Sequence, residues 1–241
     1  MQRLGIIVAM KAEARPLGLR VDTGMVIEAP GVDVMLCISG IGARRARIAG
    51  QQLLAQGANA LLSWGTAVAL DAGLRPGQLL LPREVLNSDR ESLRVSLQWQ
   101  RLLANRLPER FETNNQAMIE TREVLATPED KHRLRARTGA IAADMESAAL
   151  AGVARDAAVP FVVVRSVADT MQRIFPAWSN NIVDAYGRVR PIAGLLPLLT
   201  HPADWPEITR IARDFRAALA TLSAVTKHLG LNGLKPTGAP P

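Results

Sequence analysis

Cysteine occurs once in the 241 residues, histidine three times, and aromatic side chains make up only 4% of the chain. A lone Cys37 excludes a disulfide within the chain and suits a reducing, cytoplasmic setting. Lying inside the apolar run Val34 to Ile38, it reads as a small buried hydrophobe, not a nucleophile. His132, His201 and His228 are scattered, with no cysteine or carboxylate at ligand spacing, so no metal site is expected. The shortage of aromatics removes the interleaved stacking residues that nucleic-acid binders use, so nucleic acid is not an expected partner. No apolar run approaches a membrane-spanning length, and Leu4 to Met10 is too short, and too soon followed by charge, for a secretory signal.

What is present is a chain 48% hydrophobic, able to bury a substantial core, with a net charge of +7 carried mostly by arginine. That charge favours phosphates, nucleic acid or an anionic lipid surface, or it is simply a solvated basic exterior. One domain is expected over residues 1–230, with residues 173–230 forming a lid region and a C-terminal helix. Gly230 to Pro241, with Pro236, Pro240 and Pro241, reads as a disordered tail.

The strands are legible as short apolar runs. Leu4–Ala9, Met25–Glu28, Val34–Ile38, Ala60–Thr66, the stretch after Pro76-Gly77, and Phe161–Val164 are bounded by turn formers. Ala60–Thr66 should end in a small-residue turn at Gly65. A strand is also expected over Met118–Leu125. Helices are expected at Met10–Pro16, Ala43–Gln56, Met145–Ala157 and from Pro206 onward, the last with Ile208, Ile211, Phe215, Leu219, Leu222 and Leu229 at helical spacing. Thr127-Pro128-Glu129-Asp130 has the cap, first-turn proline and acidic start of a helix running to about Arg137. Asp144 can cap the helix that follows it. The polar stretch Arg83–Arg110 reads as an insertion covering the sheet, and Arg173–Pro191 as a loop or lid.

Chemistry concentrates at strand ends. Runs like Phe161–Val164, preceded by a helix, look like buried parallel strands, and the open ends of such strands are where α/β proteins bind ligands. Asp169 sits at such an end, Glu146 near the start of a helix, and Glu13 just after the first strand. Each alone could be a cap or a surface carboxylate; in combination and in this order they favour a site. Ser39-Gly40-Ile41-Gly42, between a strand and a helix, lets backbone amides approach an anion or a sugar. Arg44, Arg45 and Arg47 follow it and offer either a phosphate contact or a solvated helix face.

Four ordered pieces carry a resemblance: Gly5 to Met10 with Glu13, Ser39-Gly40-Ile41-Gly42, Gly65-Thr66-Ala67, and Met145-Glu146 with Arg165 to Asp169. Together they resemble the purine nucleoside phosphorylase and methylthioadenosine/S-adenosylhomocysteine nucleosidase superfamily. Asp144-Met145-Glu146-Ser147, Ala126-Thr127-Pro128 and the region from Arg173 through Arg188 are most similar to its hopanoid-associated branch, the adenosylhopane nucleosidases or phosphorylases. The resemblance implies a three-layer α/β/α fold with a mixed central sheet. It further implies cleavage of the N-glycosidic bond of an adenine nucleoside, here lipid-linked, with release of adenine and ribosylhopane.

By that resemblance Asp169 donates a proton to the departing purine and Glu13 activates water. Glu146 holds the ribose hydroxyls, Met145 packs on the ribose, and Arg165 positions a carboxylate. Ala9, Met10, Ile41, Gly65, Thr66 and Ala67 line the ribose and nucleophile side, and Val124 and Leu125 the base side. No cofactor is implied; phosphate enters only if the reaction is phosphorolysis, against which Glu13 and Ser63 stand where phosphorylases carry anion-binding arginines. Val68 and Ala69 replace two adjacent glycines, and Ala168 a frequent serine. A homodimer, and peripheral contact of the basic C-terminal helix with an anionic inner-membrane face, are also implied. A methylthioadenosine-type nucleosidase and a nucleotide-binding module without activity stay open as alternatives.

Overall fold

The computed structural model of the chain describes residues 2–19, 22–29, 31–176 and 201–236. Ten strands form one mixed sheet: β1 (Leu4–Val8), β2 (Val26–Glu28), β3 (Val34–Ile38), β4 (Ala60–Ala69), β5 (Leu79–Leu80), β6 (Glu84–Leu86), β7 (Ser92–Arg94), β8 (Met118–Glu120), β9 (Ala142–Asp144) and β10 (Phe161–Asp169). The spatial order is β2-β3-β1-β4-β9-β8-β6-β7, with β10 branching off β4 and carrying β5. β1, β3, β4 and β10 are parallel to one another where they pair, and every residue of β1, β3 and β10 is buried. Strands covered on both faces need unbroken apolar runs, which is why these are the most readable in the sequence.

Among the described residues the α-helices are α1 (Lys11–Ala14), α2 (Ala43–Ala55), α3 (Leu97–Arg106), α4 (Pro128–Thr138), α5 (Ser147–Asp156) and α6 (Trp205–Gly233). Ala46, Ala49 and Leu53 of α2 and Ala148, Leu150 and Val153 of α5 share one core with one face of the sheet. Trp99 and Leu103 of α3 and Leu222 and Val225 of α6 share another with the opposite face. The result is three layers, α/β/α around a mixed sheet, as the resemblance implied. Cys37 is buried in β3, and burial pushes its thiol up to about 11, so it stays protonated and inert at neutral pH.

Several boundaries differ from the sequence reading. No turn forms at Gly65: β4 runs on to Ala69, with Val68 and Ala69 pairing Ala143 and Ala142 of β9. A β-branched valine and an alanine on an extended backbone favour this continuation over a turn. Within Arg83–Arg110, β6 and β7 form a hairpin that extends the sheet, so the stretch is part of the sheet as well as its cover. Only Met118–Glu120 of Met118–Leu125 is a strand. Asp144 ends β9, and the following helix starts three residues later at Ser147, whose amide Asp144 accepts at 3.1 Å.

On α6 the fully buried positions are Asp214, Ala218, Leu222 and Val225, while Ile208, Ile211, Phe215, Leu219 and Leu229 are half-buried. Helical backbone breaks at Gly230, close to the expected end. The next residues do not begin a disordered tail: Leu234 is fully buried, its carbonyl accepts the Trp99 indole N–H at 2.9 Å, and Arg106 donates to Gly233 O at 2.7 Å. Residues 237–241, and the expected lid beyond residue 176 up to residue 200, lie outside the described residues.

Candidate active site

Glu13 is built by local geometry. It is the third residue of α1, so its carboxylate folds back onto the amides just ahead of the helix and accepts from Met10 N at 3.1 Å and Ala9 N at 3.2 Å. Its other oxygen accepts from the Thr66 amide and hydroxyl, both at 2.8 Å. Four donors on two oxygens hold Glu13, 1% exposed, as an oriented carboxylate across the gap between β1 and β4.

Gly65 makes this crossing physically possible. A Cβ at this position would lie 2.7 Å from Glu13 Oε1 and collide with the Arg165 guanidinium. Arg165, in register with Gly65 on the neighbouring β10, is fully buried. It donates to Asp144 Oδ2 at 2.8 Å, Ser63 Oγ at 2.8 Å and Ser147 Oγ at 3.2 Å, and lies 3.6 Å from Glu146 Oε2. Burial alone would lower its pKa, but Asp144, Glu146 and Glu13 more than offset that and raise it, so the guanidinium is firmly charged.

Glu146 stands at the start of α5 and accepts from Gly42 N at 2.8 Å. The Ser39-Gly40-Ile41-Gly42 turn therefore contributes an amide through Gly42, while Ile41 and Met145 are half-buried beside it. Burial raises Glu146 to about 8 against the lowering effect of Arg165, with Asp144 and Glu13 adding to the rise. Three acidic groups, Glu13, Asp144 and Glu146, thus surround one guanidinium.

Asp169 ends β10 past a β-bulge, four residues beyond Arg165, and is 5% exposed. Burial raises it to about 6, although the ammonium of Lys131 pulls the other way. Lys131 projects from α4 with a side chain 0% exposed and meets both carboxylate oxygens, at 2.8 and 2.9 Å. Arg173 follows on the same side, donating to Asp214 of α6 at 2.7 Å. Phe175 is tied by its amide to Ala126 O at 2.9 Å, and its ring lies 5.9 Å from Lys131 Nζ.

Of the residues singled out in the sequence, Ala9, Met10, Glu13, Gly65, Thr66, Glu146 and Arg165 come together around one cluster. Ala67 does not face it: its side chain is buried in the core shared by α2 and α5. Val124 is 53% exposed, and Leu125 packs toward Leu70, Ile119, Ala140 and Ala143. The reading missed Lys131, and it missed Ser63, Asp144 and Ser147 as partners of Arg165. A lysine in a helix as polar as Pro128–Thr138 carries no outward sign of burial. Ser63 and Ser147 lie 3.0 Å apart, a pairing that 84 residues of sequence separation hide.

A sheet with a parallel centre, an acid at the end of β10, a carboxylate at the start of α5 and Glu13 crossing to β4 beside Gly65 is an arrangement with which an α/β protein can bind a small polar ligand at its strand ends. Residues 3–185 match the Phosphorylase superfamily of purine nucleoside and uridine phosphorylases, and the chain belongs to that superfamily. Its fold is similar to that of the 5′-methylthioadenosine/S-adenosylhomocysteine nucleosidase from Neisseria meningitidis in complex with methylthio-immucillin-A, at 17% identity and TM-score 0.71, covering 95% of this chain and 98% of that one. It is also similar to futalosine hydrolase of Helicobacter pylori (17% identity, TM-score 0.67, 95% and 98% covered). A third likeness is the methylthioadenosine/S-adenosylhomocysteine nucleosidase of S. pneumoniae with a transition-state inhibitor (17%, 0.67, 95% and 100%).

Proposed function

We propose that this protein is an N-glycosidase that hydrolyses adenosylhopane to adenine and ribosylhopane. The observation that carries the hydrolytic reading is the acidic lining of the ribose side: Glu13, Asp144 and Glu146 gather around a single guanidinium, Arg165, which is already bound to Asp144. Cleavage passes through a cationic, oxocarbenium-like sugar, which such a cluster stabilises, whereas inorganic phosphate brought beside it would be repelled. Glu13 then serves as base for water, Glu146 holds the ribose hydroxyls with Met145 against the ring, and Arg165 positions Asp144 and Glu146. Asp169 protonates the leaving base, for which a carboxyl raised to about 6 is suited near neutral pH.

The nucleosidase and hydrolase relatives in fold support this class of reaction, and superfamily membership supports a nucleoside substrate. The lipid substituent rests on the resemblance to the hopanoid-associated branch and is supported by three exposed apolar side chains. Val124 (53%) and Ile174 (54%) flank the Ala126–Phe175 contact, and Trp205 (49%) lies two residues from Glu207, which faces Arg173. We place the enzyme as a cytoplasmic homodimer in peripheral contact with anionic lipid, with no cofactor.

The test is adenine release by purified protein from detergent-dispersed adenosylhopane and from methylthioadenosine, each with and without phosphate. Release from the lipid nucleoside without phosphate supports the proposal. A strict phosphate requirement turns the reading to phosphorolysis, and preference for methylthioadenosine turns it to a soluble thioether substrate. No release from either, with the fold intact, removes the enzymatic reading.

A further inference from the structure

The Lys131–Asp169 contact changes what Asp169 can do by itself. Lys131 Nζ meets the Asp169 carboxylate and also donates to Thr170 O at 2.8 Å and Arg173 O at 3.1 Å. An ammonium has three N–H donors and no acceptor, so one carboxylate and two carbonyls use it completely. A neutral amine has two donors and one lone pair; the two carbonyls then take both donors, and the lone pair faces a protonated Asp169. A proton can therefore pass between Nζ and the carboxyl while every polar partner of Lys131 stays satisfied. At 0% exposure on the lysine side chain, neither form is served by bulk water. The other charged groups facing the pair are already committed: Arg173 to Asp214 at 2.7 Å, with Glu207 at 3.8 Å.

We propose that Lys131 is a positioning residue for the acid step, holding with Asp169 the single proton that the departing base takes. This rests on the N-glycosidase reading. In the step, Nζ passes a proton to the Asp169 carboxylate and Asp169 passes its proton to a ring nitrogen of the base. The bond from C1′ to the base breaks with its electron pair going to the base. The pair changes from neutral to one negative charge and the base gains one proton; water bonds to C1′ through its oxygen as Glu13 takes the released proton, and that proton returns to the pair through Asp169 when product leaves. Burial pulls the Lys131 ammonium down while it pushes Asp169 up, which brings the two affinities for the proton closer together.

The test compares Lys131→Arg with Lys131→Met in adenine release from methylthioadenosine and adenosylhopane, as kcat and KM across about pH 5 to 9, beside Asp169→Asn. Arginine preserves charge but does not release a proton, so it locks Asp169 as a carboxylate. Methionine leaves Asp169 buried and free to take its proton from water. The expected order is unusual: Lys131→Arg falls in kcat by roughly 10²–10⁴, toward Asp169→Asn, while Lys131→Met stays within about tenfold of wild type at low pH and loses activity as pH rises. Lys131→Met added to Asp169→Asn should change nothing further. A purely structural lysine gives the reverse, rescue by arginine and failure with methionine, and overturns the proposal. Should the arginine variant not fold, a Lys131→Met pH profile identical to wild type overturns it as well. Wild-type protein that releases no base from either nucleoside overturns the N-glycosidase reading instead, and this proposal with it.

Discussion

Glu13 and Asp169 are both buried carboxylates, but their surroundings differ, and the proposed mechanism gives them opposite tasks. Glu13 accepts from four donors, which fix the orientation that the proposed mechanism asks of it. Asp169 sits against an ammonium yet is raised to about 6, keeping a proton within reach at neutral pH. Glu13→Gln and Asp169→Asn should each lower kcat for adenine release by roughly two to four orders of magnitude, with the circular dichroism of the fold retained. Near-normal turnover in either variant would remove that residue from its role. Both carboxylates were legible from the sequence because they flank strand ends. Lys131 was not, because nothing in Pro128–Thr138 distinguishes a lysine that turns inward from its exposed neighbours.

Among the elements, α5 depends on partners from distant segments. Glu120, at the end of β8, is 7% exposed and accepts from Ala149 N at 2.7 Å, satisfying one of the free amides at the start of the helix. Burial raises Glu120 to about 7, with Asp144 adding to the rise and the amides and Arg47 opposing it. A raised carboxyl means that the folded state binds the proton more tightly than the unfolded state does. Its contribution is complete below about pH 4.5 and is lost as pH rises to about 7, on the order of a few kcal/mol. Urea titrations of Glu120→Gln between pH 4.5 and 8 should show a flatter pH dependence than wild type; identical slopes would argue against the assignment.

The packing of α5 on α2 has its own test. A Cβ on Gly50 would lie 3.0 Å from Leu150 and 3.3 Å from Val153, whereas a Cβ on Gly152 meets nothing within 4 Å. Gly50→Val should destabilise by about 1–3 kcal/mol through overpacking. Gly152→Ala should stabilise by about 0.5–1 kcal/mol through helix propensity alone. Urea midpoints check both, and a stabilising Gly50→Val would show that the two helices can separate at little cost. Neither contact was readable in advance, because Gly50 and Gly152 have the same helical sequence context.

For the whole molecule, the net charge of +7 and the exposed Arg213, Arg216 and Lys227 on α6 set an electrostatic expectation. No helix among the described residues is long and apolar enough to cross a membrane. The protein should sediment with anionic vesicles at about 20 mM salt and be released by about 0.5 M, where screening falls to a few ångströms. Absence of binding at low salt would confine the substrate to delivery by detergent or a carrier. Salt-independent binding would point to apolar insertion near Val124, Ile174 and Trp205.

What the sequence determined by itself was the parallel centre of the sheet and the strand-end carboxylates. β1, β3 and β10 are buried on both faces, and double burial leaves an unbroken apolar run that needs no partner to be recognised. Short strands such as β6, β7 and β9 escaped notice, because three residues of mixed character become a strand only when a neighbour supplies the hydrogen bonds. The tertiary structure alone decided that β4 continues through Val68 and Ala69 and that Arg165 gathers Asp144, Ser63 and Ser147. It likewise brought Lys131 onto Asp169 from 38 residues away in the chain. Those choices depend on which buried charge finds which partner, and burial is a property of the packed molecule, not of any stretch of its sequence.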